Sequence, residues 1–112
     1  MTEHSSLAEE RAALASVAPE VVRTFGRHHQ AALGDGEVDR RTKELMALAI
    51  SVVTGCEGCC EHHLVAARSA GASDAQLAET LGVAVLMGGG PAYTQAGRVA
   101  AMMQATGTQD QG

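Results

Sequence analysis

Tryptophan is absent from this 112-residue chain, and phenylalanine and tyrosine occur once each. A core cannot be built on large rings here. Leu, Val, Ala, Ile and Met must fill it, and such small side chains close-pack best between helices lying near one another, with a second subunit to complete the burial. Clustered Lys and Arg are also lacking: the formal net charge is −5, whereas a nucleic-acid binder needs grouped cations to neutralise phosphates. No run reaches the roughly 18 apolar residues of a membrane span. The stretch MTEHSSLAEERAALA carries Glu3, Glu9, Glu10 and Arg11 where a signal peptide needs an uninterrupted apolar segment, so a soluble, cytoplasmic protein is expected. In that reducing compartment three cysteines argue against a structural disulfide framework and for catalytic, redox or metal roles.

What is present reads as a single all-α domain spanning 1–112, with its core in 19–105, because a chain this long builds one core that buries about two thirds of its unfolded surface. A first helix is expected over Ser5 to Val17. Pro19 suits the first turn of a second, PEVVRTFGRHHQAAL, since that position needs no N–H donor, and Gly34 and Gly36 end it. Asp39 is the expected N-cap of a third helix running to Gly55, and from Leu45 to Val53 its only polar side chain is Ser51. Apolar on nearly every face, it is expected to be buried and central. A fourth helix starts around Cys56 to Cys59 and ends near Gly71. Ser73 followed by Gln76 gives a capping box for a fifth, GGGP breaks the pattern from Gly88 to Pro91, and a sixth runs to about Ala105 with a frayed polar tail. There is no strand pattern and no internal repeat.

The segment GCEGCCEHH, Gly55 to His63, holds all three cysteines and two of the five histidines. At about 100° per residue, Cys56, Cys59, Cys60 and His63 fall within an arc of roughly 100°, with His63 near its middle, while His62 points away. A CxxC at a helix start places two sulfurs one turn apart where the dipole and unpaired N–H groups favour a thiolate. His63, four residues after Cys59, is its neighbour on that face and can take the thiol proton. Glu44, at the head of the apolar third helix, is partly desolvated there and is a candidate proton acceptor for a relay. Each residue also has a plainer reading. A CxxC can be small buried packing, a glutamate near a helix start usually meets solvent and the dipole, and Cys60 reads as core. His62 reads as solvated, His28 and His29 as surface or interface residues, and Tyr93 as packing near a turn. Four ligands on one helical face converge poorly on an ion, and no second CxxC or HxxxH exists to complete a tetrahedral site, so no metal is expected.

The order of these features, DRRTKELMALAISVVTGCEGCCEHHLVAARSAGASDAQLAETLGVAVLMGGGPA, resembles the AhpD-like alkylhydroperoxidase branch of the carboxymuconolactone decarboxylase superfamily. The specific part is a Glu, a CxxC twelve residues on, and a His four after the second Cys: Glu44, Cys56, Cys59 and His63. The resemblance covers Asp39 to Ala92, about half of the chain, and APEVVRTFGRHH upstream is similar too.

That resemblance implies a fold of about six helices assembled as a homotrimer or homohexamer. It implies thiol-dependent peroxidase or disulfide oxidoreductase activity on an organic hydroperoxide or hydrogen peroxide. Cys59 would be the attacking thiolate, oxidised to a sulfenic acid, and Cys56 would resolve it to a disulfide. His63, through a water, would relay the proton to Glu44. No bound cofactor is implied; an external dithiol, lipoyl-type or a protein partner, would reset the pair by thiol exchange. Two features depart from the family pattern. Cys60 directly follows the pair, and the chain is much shorter than two-repeat members. Two other classes remain open at this point: a lyase like the decarboxylase branch, which does not need the CxxC, and a noncatalytic helical oligomer.

Overall fold

The computed structural model describes residues 6–111, with side chains through residue 107. Six helices follow in order: α1 (Leu7–Val17), α2 (Pro19–Leu33), α3 (Arg40–Thr54), α4 (Glu57–Ser69), α5 (Asp74–Gly88) and α6 (Gly90–Gln111). Strands are absent among the described residues, in keeping with the all-α expectation. None of these helices is long and apolar enough to cross a membrane. The chain divides into two compact units, one ending at Gly34 and one beginning at Asp35.

In the first unit α1 packs against α2. Ser6 and Glu9 cap α1 reciprocally: the Ser6 hydroxyl accepts from the Glu9 N–H at 3.0 Å and the Glu9 carboxylate accepts from the Ser6 N–H at 2.8 Å. Ser5, where the sequence reading begins this helix, lies outside the described residues. Pro19 opens α2 as expected.

The second unit is built around α3, which packs against α4, α5 and α6. Its N-cap is Asp39, whose carboxylate accepts the Thr42 N–H at 2.8 Å and is held below its ordinary range by that bond. Gly55 ends it in the left-handed region, φ 74°, a conformation that costs a residue with a Cβ. The backbone then reverses, the Cys56 N–H reaching back to the Ser51 carbonyl at 3.1 Å. Ser73 and Gln76 form the anticipated capping box of α5. Gly89, at φ 69° and ψ −148°, is the break between α5 and α6, so Gly88 and Gly90 belong to helices rather than to a wider GGGP loop.

Each helix from α3 to α6 gives the core of the second unit one stripe at three- and four-residue spacing: Leu48 and Val52, then Cys60, Leu64 and Ala67, then Leu77, Leu81 and Ala84, then Ala92, Ala96 and Val99. Three expectations are corrected. α3 is not buried all round: Met46, Ile50 and Val53 are exposed, on the side away from the Leu48 stripe. Tyr93 is exposed, because Ala92 and Ala96 hold the inward positions of that part of α6. The sixth helix runs on to Gln111 instead of fraying after Ala105; Arg68 donates to the Thr106 hydroxyl and, at 3.0 Å, to the Met103 carbonyl, which fixes that last stretch against α4. Gly112 lies outside the described residues.

Candidate active site

The turn at Gly55 folds α4 back along α3, and the arithmetic of two antiparallel helices decides what meets. Glu44 lies about 16 Å before the turn and His63 about 12 Å after it, at 1.5 Å per residue, so the two come within about one turn of each other, inside the reach of their side chains. They touch: His63 Nδ1 is 2.8 Å from Glu44 Oε1. Glu44 has no exposed surface, since it occupies the stripe position one turn before Leu48, and His63 keeps only a small exposed edge. Arg40, one turn earlier on α3, places Nε 3.4 Å from the other carboxylate oxygen. That approach is an ion pair without hydrogen-bond alignment, so Oε2 is buried and accepts no hydrogen bond. A buried carboxylate of this kind is held by charge on one oxygen and by an imidazole on the other.

Cys56 is the N-cap of α4 and forms a disulfide with Cys59, Cα to Cα 5.2 Å. The Cys59 N–H points at the Cys56 sulfur, 3.2 Å away. In the reduced pair that N–H and the helix N-terminus would both favour negative sulfur. Cys59 is exposed and Cys56 half-buried, so the second sulfur is the more accessible. Cys59 also stands one turn before His63, hence beside the Glu44–His63 pair. The four residues singled out by spacing, Glu44, Cys56, Cys59 and His63, thus lie along one hairpin of helices.

Cys60, one turn after Cys56, lies on the inner edge of that face. It is fully buried, and burial pushes its thiol up from the ordinary range. His62 is half-buried rather than solvated, its ring edge-on to His63 at 4.8 Å between centroids. His28 is exposed and His29 half-buried. Sequence reasoning missed three residues. Arg40 was legible as an i, i+4 partner of Glu44. Gln95 is a buried polar residue on the Ala92, Ala96, Val99 stripe, which that stripe's period could have revealed. Arg98, 3.3 Å from the Glu57 carboxylate, links α6 to the head of α4 over 41 positions, and no local signal announces it.

The chain is similar to known proteins in sequence and in fold. The profile of the carboxymuconolactone decarboxylase family matches residues 19–102. An uncharacterised protein of the cox locus of Paracoccus denitrificans is 42% identical over 69 residues, 62% of this chain and 62% of that protein's length. A second uncharacterised protein, from Cupriavidus necator, is 36% identical over 93 residues, 83% of this chain and 82% of its own. Among solved structures, a carboxymuconolactone decarboxylase family protein from Legionella pneumophila superposes with a TM-score of 0.83 at 35% identity, covering 88% of both chains. A family member from Thermotoga maritima, described with a suggested part in the antioxidative response, gives 0.76 at 30% identity over 81% of this chain and 94% of that one.

Proposed function

The chain belongs to the carboxymuconolactone decarboxylase family, and from that premise we propose that it is a thiol-dependent peroxidase of the AhpD-like kind, reducing an organic hydroperoxide or hydrogen peroxide. The observation that carries the proposal is the buried Glu44–His63 contact at 2.8 Å, set one turn from the accessible sulfur of a cysteine pair. With Nδ1–H donated to the carboxylate, the imidazole is fixed in the tautomer whose Nε2 carries the lone pair. That nitrogen takes the proton from the Cys59 thiol. The thiolate attacks the outer peroxide oxygen, an S–O bond forms as the O–O bond breaks, and the alkoxide leaves with the proton returned by His63. Cys56 then attacks the Cys59 sulfenic acid, a disulfide forms and water leaves. Two thiols of an external dithiol, lipoyl-type or on a partner protein, reduce the disulfide and are themselves oxidised.

The cycle needs no bound cofactor and no metal. The suggested antioxidative role of the Thermotoga relative agrees with it. A decarboxylase-type reaction has no use for the Cys56–Cys59 pair, which favours the redox reading. Assembly as a homotrimer or homohexamer is part of the proposal. Met46, Ile50 and Val53 on α3 and Val83, Leu86 and Met87 on the α5 that packs against it are exposed and carry no charge, a face that a second copy of the chain would cover.

The test is hydroperoxide consumption by the purified protein supplied with a dithiol, beside Cys59→Ser and Cys56→Ser. Turnover is expected in the parent, loss in Cys59→Ser, and arrest as a sulfenic acid in Cys56→Ser. Rates equal to free cysteine in all three would end the peroxidase reading and leave the fold assignment standing.

A further inference from the structure

Cys60 is a third thiol within five residues, and the peroxidase cycle gives it no part. Its position makes it a hazard. It follows Cys59 directly and stands one turn after Cys56, its N–H bonded to the Cys56 carbonyl at 2.9 Å. Side chains four apart on a helix have Cβ atoms about 5–6 Å apart, little beyond the roughly 3.5–4.5 Å of a disulfide. Loosening the head of α4 by an ångström or two would therefore let a Cys60 thiolate attack the Cys56 sulfur. In that exchange the bond between Cys60 and Cys56 forms, the bond between Cys56 and Cys59 breaks, and Cys59 leaves as a thiolate that takes up the proton Cys60 lost. No oxidant is needed. The product shares the two oxidising equivalents between half-buried Cys56 and buried Cys60, and the exposed Cys59 sulfur no longer carries them for an external dithiol to attack.

The structure holds Cys60 away from that reaction. Gln95 on α6, only 5% exposed, directs its Nε2 at the Cys60 sulfur over 3.8 Å. The Gln95 Oε1 faces the Arg98 guanidinium at 3.5 Å, and Arg98 continues to the Glu57 carboxylate at 3.3 Å. So α6 grips α4 at Glu57 and at Cys60, the residues that follow the two sulfurs of the redox pair. An amide in an apolar seam is destabilising unless it is bonded, and nothing in close packing of Ala92, Ala96 and Val99 calls for one.

We infer that Gln95 is a positioning residue that aims the Cys60 sulfur into the core and so confines oxidation to Cys56 and Cys59; the inference rests on the thiol-redox reading above. Donation to sulfur by itself favours a thiolate, so the role of the amide is direction. Burial is what keeps the thiol protonated.

The experiment is peptide mapping by mass spectrometry of the full chain after one equivalent of hydrogen peroxide, with native-state alkylation of free thiols. Wild type is expected to give the Cys56–Cys59 disulfide alone, with Cys60 alkylated only after denaturation. Gln95→Leu keeps the apolar bulk and removes the donor; Gln95→Asn retracts the amide and serves if the first variant folds badly. In either, a Cys56–Cys60 linkage at least tenfold above wild type and native alkylation of Cys60 are expected. Adding Cys60→Ala to Gln95→Leu should restore the wild-type rate of Cys56–Cys59 formation, which it would not do if Gln95 served folding alone. Unchanged mapping in both Gln95 variants, or failure of that rescue, overturns the inference. A wild type that forms the pair yet consumes no hydroperoxide defeats the peroxidase reading separately, and the mapping still decides the role of Gln95.

Discussion

Replacing Glu44 by Gln keeps the side chain's shape and removes one charge from a site without solvent, so its effect can be worked from the contacts. Glu44 Oε1 receives His63 Nδ1 at 2.8 Å. A hydrogen bond to a charged group contributes about 1.5–3 kcal/mol and a neutral one about 0.5–1.5, so the exchange removes about 1–2 kcal/mol of imidazole orientation. At 1.4 kcal/mol per factor of ten, that is about a 5- to 30-fold fall in the rate at which the reduced Cys59 thiol is alkylated at neutral pH. His63→Gln should lose at least as much, since it removes the proton acceptor itself. The double variant should fall no further than His63→Gln, because Glu44 acts only through the imidazole and coupled residues are not additive. Stopped-flow alkylation with iodoacetamide on the dithiol-reduced protein, with Cys60→Ala as common background, reads all three. A Glu44→Gln rate within twofold of the parent, or a double variant slower than His63→Gln by the full Glu44 factor, would refute the relay.

Two glycines in α5 should respond oppositely to alanine. Gly82 has open space where a Cβ would go, and Gly82→Ala should raise stability by about 0.5–1 kcal/mol in a urea melt. At Gly88 the added carbon would sit 2.6 Å from the Ala92 Cβ and 3.3 Å from Val53 Cγ2, so Gly88→Ala should lower it by about 1–3 kcal/mol; a neutral result would mean that the α5–α6 junction is looser than its geometry. Asp39 titrates below its ordinary value of 3.8 in the folded chain, so its capping bond stabilises above that pH and is lost as pH falls through the lowered value. Asp39→Asn should accordingly flatten the acid limb of stability against pH, and an unaltered limb would remove the cap from the account. Arg68→Met should speed hydrogen exchange of the amides near Met103 and Thr106 at least tenfold, since it deletes the donors that tie the last turns of α6 to α4.

Much of this was legible because caps and spacing are local. Asp39, Gly55, Ser73 with Gln76, and Pro19 sit where their backbone chemistry requires, and helix limits followed from them to within a few residues. The Glu44, Cys56, Cys59, His63 spacing could be read as a relay because 3.6 residues per turn fixes what one face carries. What periodicity could not supply was the partner surface of each stripe. The apolar run from Leu45 to Val53 looked buried on every side, yet burial depends on how many helices are present to cover a face, and Met46, Ile50 and Val53 stay exposed among the described residues. The α6 overrun was hidden for a similar reason. TGTQDQ has weak helix propensity, and its first turn is held by Arg68, 38 positions away from Thr106.

The case for chemistry at the hairpin rests finally on a cost. A family fold of packed Leu, Val and Ala needs no carboxylate in its centre, and apolar residues of the same size in place of a buried ion pair commonly leave a protein as stable or more so. Glu44 nevertheless occupies a stripe position that Leu or Met would fill, with an oxygen that accepts no hydrogen bond. Arg40 is about half exposed, so its attraction is screened and cannot by itself offset that desolvation. The remaining contact is His63, the one side chain on α4 that both touches Glu44 and stands a turn from the accessible sulfur of the pair. That cost has no return in the packing, and it is what supports the proposed proton relay: the buried carboxylate sits where it can set the tautomer of an imidazole one turn from the accessible sulfur.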